Sequence, residues 1–116
     1  MSGRSAQAKG RRGEIELARY LQEKGFTDAQ PGAPLNYGKE ADITGISGLH
    51  IECKRHERLE INKWYEQAAE DAARMQDGAP AVIYRQNRRQ WMIVLSLNDF
   101  LKMIGGAEHG KNKMHR

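Results

Sequence analysis

A chain of 116 residues has room for one modest hydrophobic core and none for a second domain. Nineteen lysines and arginines against fifteen aspartates and glutamates, with a pI near 9.4, suit an anionic partner without naming one. The single Cys53 excludes an internal disulfide, and His50, His56, His109 and His115 lack the paired spacing of a zinc site. No apolar run approaches the roughly 20 residues that cross a bilayer and no secretory leader is legible, so a reducing, cytoplasmic setting is expected.

Residues 1–8 are small and polar and are expected to form a flexible N-terminal arm; residues 9–104 are expected to form a single domain, followed by a flexible basic tail over 105–116. Over residues 10–24, Leu17, Ala18 and Leu21 recur at helical spacing and Gly25 supplies a C-cap, which predicts a first helix. A short strand is expected over 26–30. The segment 31–40, "PGAPLNYGKE", carries two prolines and two glycines and reads as a long surface loop. Residues 41–46 and 49–54 read as two strands joined through Ser47 and Gly48. A second helix is predicted over 61–76, with Ile61, Trp64, Tyr65, Ala68, Ala72 and Met75 on one face. Two strands then flank a polar turn at 86–90, and residues 98–104 predict a short capped helix. The order is that of a mixed sheet with helices packed on it.

The chemistry concentrates in "ADITGISGLHIECKR", residues 41–55. Side chains alternate along a strand, so His50, Glu52 and Lys54 share one face and Leu49, Ile51 and Cys53 the other. In the simplest hairpin register Asp42 comes within reach of Glu52. Two carboxylates brought together repel unless a cation or a shared proton offsets their charge. A divalent ion with oxygen ligands, Mg2+ before zinc, answers that problem, and Lys54 could then hold an attacking water or offset charge on a phosphate. Acid and base alternating on a strand also make an ordinary solvated face. On the first helix, stepping back along the apolar stripe from Leu21 and Leu17 lands on Glu14, so this carboxylate faces the sheet, whereas Glu16 lies with Arg19, Tyr20 and Glu23 on a more polar side.

"KGRRGE" opening a helix, an Ala-Asp-Ile strand and "IECK" on the next strand resemble the PD-(D/E)xK nuclease superfamily, in an order most similar to the archaeal-type Holliday-junction resolvases. The resemblance covers residues 9–95. It implies an α/β, restriction-endonuclease-like mixed central sheet flanked by helices, in the order α-β-β-β-α-β-β-α. It also implies a metal-dependent DNA endonuclease in which Glu14, Asp42, Glu52 and the Cys53 backbone carbonyl bind Mg2+ or Mn2+ and Lys54 assists the attacking water. Some such enzymes place a glutamine near the site, which makes Gln67 a possible accessory residue; an exposed helix glutamine is the plainer reading. Ala41 stands where the superfamily's name has a proline, and no serine lies between Ser5 and Ser47, where the resolvases tend to carry one.

Lys9, Arg11 and Arg12, then Arg55 and Arg58, then Arg88 and Arg89 are the expected DNA-binding cations, forming a phosphate-binding rim around the acidic site. His56 is a further candidate by position, and His50 reads as a strand-surface or supporting residue. The expected partner is a four-way junction or other branched DNA, nucleoid-associated or viral, cut by a homodimer because such a junction needs two cuts about a two-fold axis. The alternatives are a nuclease for duplex, flap or nicked DNA and a non-catalytic nucleic-acid-binding module.

Overall fold

The computed structural model describes residues 2–35 and 38–105, with side chains for 10–33 and 40–105. The Lys9 side chain, the side chains of the expected N-terminal arm, and the tail from residue 106 with His109 and His115 lie outside the described residues.

Helix α1 spans Ser2–Glu23 and so begins well before the residue-10 start that its apolar spacing indicates. The sequence SAQAK contains good helix formers but no apolar stripe, so periodicity is silent there although propensity is not. The chain then reverses at Gly25, which has φ 105°, and Phe26 N–H donates to the Leu21 carbonyl at 3.0 Å. That wrap replaces most of the strand expected over 26–30; strand β1 is confined to Gln30–Pro31. Within the expected loop, β2 (Pro34–Leu35) and β3 (Gly38–Lys39) pair as a two-residue antiparallel ribbon. Proline is tolerated there because the ribbon forms its own sheet and has no interior strand.

Strand β4 (Ile43–Thr44) and β5 (Leu49–Arg55) form the expected antiparallel hairpin, with Ile43 opposite Ile51. Helix α2 (Ile61–Met75) crosses to β6 (Ala79–Arg85), which runs parallel to β5 in the register Glu52 to Val82 and Lys54 to Tyr84. Strand β7 (Met92–Val94) returns antiparallel, and α3 (Leu97–Met103) follows, its N-terminus capped by Ser96 Oγ, which accepts from Asp99 N–H at 3.0 Å. The main sheet has the order β1-β4-β5-β6-β7, the mixed, helix-flanked arrangement of restriction-endonuclease-like folds.

Strand alternation divides the core between the two faces. Ile43, Ile51, Ala81 and Ile83 pack under Leu17 and Ala18 of α1, while Val82 packs under Trp64 and Ala68 of α2. A strand buried on both sides needs the unbroken apolar run that β6 carries.

Candidate active site

Gly13 allows α1 to lie directly on β5: a Cβ there would stand 2.9 Å from Arg55 Cγ. This approach, one residue before Glu14, turns the carboxylate toward the sheet, and Glu14 is only 8% exposed. Arg11 Nη1 stands 3.5 Å from Glu14 Oε1 and also donates to the Gly32 carbonyl at 3.1 Å. Asp42, 7% exposed, accepts a hydrogen bond from Cys53 N–H through Oδ2 at 2.8 Å. The β4–β5 ladder consists of the single pair Ile43 and Ile51. Past it β4 offers β5 no further strand residue, and the Asp42 carboxylate satisfies the Cys53 amide instead. A cavity of about 790 Å3 opens here, bordered by Glu14, Asp42, Cys53 and Lys54 and rimmed by Arg12, Arg55 and His56. Lys54 makes no hydrogen bond or ion pair among the described residues.

Glu52 belongs to a neighbouring group. Its Oε2 lies 2.9 Å from Nε2 of His50, and the His50 Nδ1–H donates to the Asp77 carboxylate at 2.7 and 2.9 Å. Because Asp77 takes the Nδ1 proton, one further proton lies between Nε2 and Glu52. Gly78, at φ 148°, holds the chain after Asp77 against the start of β5; a Cβ there would meet Leu49 N at 2.7 Å. His50 is 1% exposed, so it is a buried bridge and not a strand-surface residue. Ligand atoms of His50, Glu52 and Asp71 lie within 4.8 Å of one another, and among the described residues Glu14 and Asp42 are not part of that group.

Electrostatics couple the two groups. The Glu52 carboxyl is pushed up to about 7, first by burial and then by the negative charge of Asp42, with Asp71 adding to the rise and His50 opposing it. Burial, reinforced by Asp42 and Glu14, also raises the Cys53 thiol, which leaves it protonated and unreactive at neutral pH.

Glu16 is more than a helix-surface charge. Its carboxylate pairs with Arg55 Nε at 3.1 Å and with Arg85 Nη1, tying α1 to the ends of β5 and β6. Arg55 also donates to Asn87 Oδ1 at 3.1 Å, so this member of the expected DNA-binding set is already engaged within the protein. Arg12, Arg58, Arg88 and Arg89 are exposed. Gln67 is exposed as well, and the α2 residue that reaches Glu52 is Asp71, one turn later. Sequence reasoning missed Asp71 and Asp77. Asp71 follows Gln67 at i+4 and Asp77 sits in the helix-ending Asp-Gly pair, signals that place neither side chain against a particular strand. Trp64 is core, as expected, with its ring 6.0 Å from Tyr84 and 5.4 Å from His56.

Among the described residues no helix is long and apolar enough to cross a membrane. The family model described as "Phage putative PDDEXK endonuclease" matches residues 5–115. No curated protein and no solved structure matches the chain.

Proposed function

The chain belongs to the phage PDDEXK endonuclease family, and from that premise we propose that it hydrolyses phosphodiester bonds of DNA with a divalent metal. The observation that carries this reading is the convergence of Glu14 from α1, Asp42 from the bend before β4, and Cys53 and Lys54 from β5 on one cavity, with the charge of Asp42 acting on Glu52 as well. The donor set fits Mg2+ or Mn2+: Glu14, Asp42, Glu52 and the Cys53 carbonyl would offer hard oxygen ligands. When bound, such an ion lowers the pKa of water and neutralises charge developing on the phosphate. Asp42 aligns the edge of β5 through the Cys53 amide. Glu52 must release its proton to serve, and His50, fixed by Asp77, orients it. Held between Asp77 and Glu52, His50 acts as a positioning residue for Glu52. Lys54 holds the attacking water or the charge building on the phosphate, and Arg12 and His56 at the rim meet flanking phosphates.

The finer proposal is that the substrate is a four-way junction or similar branched DNA, cut by a homodimer. It is supported by the motif order around Glu14, Asp42 and Glu52, and by an apolar face fit for a second copy. Met92 and Ile93 on β7 and Leu97, Phe100 and Ile104 on and beside α3 are exposed, and α3 buries no side chain. Glu52→Gln is expected to abolish metal-dependent cleavage while DNA binding persists; retained cleavage would end the assignment. Comparing an immobile four-way junction with linear duplex, with and without Mg2+, tests the substrate, and equal rates would favour a duplex, flap or nick enzyme. An absence of both cleavage and Mn2+ binding by calorimetry would instead indicate a non-catalytic DNA-binding module.

A further inference from the structure

A second cavity, of about 600 Å3, opens between α1 and the turn joining β6 to β7. That volume lies within the roughly 300–1,000 Å3 typical of small-ligand sites. It adjoins the cavity of the acidic site, because Arg12 and Glu16 border both. Arg12 and Arg19 stand two turns apart on one face of α1, and Arg89 borders the cavity from the turn. None of these three guanidinium groups makes a hydrogen bond or ion pair among the described residues. Arg85, also at the cavity, is committed: it pairs with Glu16 and donates through Nε to the Arg89 carbonyl at 2.6 Å. Glu16 is thereby neutralised from two sides, by Arg55 and Arg85, which leaves exposed Glu23 as the one uncompensated acid of the lining against three unpaired cations. The remaining walls include two aromatic rings. Trp91 is half-buried against the α1-side core, and Tyr20 is exposed on α1.

Unpaired guanidiniums beside an aromatic wall have the chemistry of a single-stranded nucleic-acid subsite, in which rings stack a base and cations meet its phosphates. A base held in a duplex presents no free face to such a wall. Because Arg12 borders both cavities, a polynucleotide strand can extend from one into the other, which an isolated small molecule does not. We propose that this cavity takes an unpaired nucleotide of the DNA strand being cut, its base against Trp91 and Tyr20 and its phosphates on Arg12, Arg19 and Arg89. The inference rests on the DNA-cleaving reading above and narrows its substrate to branched DNA with unstacked nucleotides beside the branch.

The test is metal-free and independent of cleavage. The chain has two tryptophans, and the indole N–H resonance of Trp91 can be identified by its loss in Trp91→Phe. Titrating full-length protein in EDTA with a single-stranded thymidine hexanucleotide should shift that resonance saturably. A blunt duplex of the same length should leave it in place, and thymidine monophosphate should bind at least about tenfold more weakly than the hexanucleotide. Arg19→Glu, an exposed substitution on α1, should weaken the hexanucleotide by about tenfold and lower the ratio of flap to blunt-duplex binding by a similar factor. A Trp91 resonance that ignores the hexanucleotide, that moves equally with duplex, or that responds to the mononucleotide as strongly would each overturn the subsite. Metal-dependent cleavage with an unmoved Trp91 would sink this inference alone, whereas a shifted Trp91 in a protein that cuts no DNA would sink the cleavage reading.

Discussion

Around β5 the protein handles its acids in two different ways. Glu14 and Asp42 border an open cavity that Lys54 also reaches, with Arg11 3.5 Å from Glu14 and the Cys53 N–H donating to Asp42 among their contacts. Glu52 is instead locked into a chain of side chains, Asp77 to His50 to Glu52, with Asp71 alongside. The first arrangement faces a cavity; the second fixes an orientation and retains a proton. A carboxyl pushed up to about 7 beside two acids that border a cavity suits a site whose last acid is completed only when a cation displaces that proton.

After the loss expected of Glu52→Gln, the largest effect should come from Asp42, which acts on both groups. Asp42→Asn is expected to slow metal-dependent cleavage by about 10²–10³-fold, the range for losing one preorganised electrostatic contact. If Asp42→Asn cleaves at the wild-type rate, the two groups are not coupled. His50→Gln should act more gently, through Glu52: the Mg2+ needed for half-maximal cleavage rises about 10–100-fold, as for other residues that orient metal ligands, and saturating metal restores the rate. A loss that no amount of Mg2+ recovers would place His50 in the chemistry itself.

The pH dependence has a definite sign. The folded protein holds the Glu52 proton to about pH 7, against an ordinary value of 4.5. In EDTA this contribution to stability is therefore complete below pH 4.5 and is lost as pH rises through 7. Thermal unfolding should show the midpoint falling across that window, and Glu52→Gln should flatten the slope. Cleavage should rise by about tenfold per pH unit below 7 at limiting Mg2+ and level off above it. The smallest effect belongs to the rim. Arg12→Ala should weaken DNA binding across sequences and reduce the salt-dependence slope by about one, as read by binding titrations at several ionic strengths.

Much of this was legible in the residues. Period-two alternation around "HIECK" gave the division of β5, and the apolar stripe of α1 turned Glu14 inward. The hairpin register, Ile43 to Ile51, sets Asp42, just before β4, beside Glu52, as the simplest pairing predicts. That register still did not bring their carboxylates into one tight group with Glu14, because rotamers answer to neighbours and Glu52 found His50. The Glu16 clasp joins residues 39 and 69 positions apart, and no local pattern announces such a pair.

Local order was thus written in spacing: where β5, β6 and α2 lie, which faces they bury and which acids approach the sheet follow from periods of 2 and 3.6 that any chain must obey. The folded molecule alone decided the partners. Asp77 meets His50 because Gly78 lets two loops touch, Asp71 meets Glu52 because α2 crosses to a parallel strand, and Arg12 joins two cavities because α1 lies flat on β5 at Gly13. Contacts of this kind depend on how elements stack in space, and stacking is set by the whole core at once.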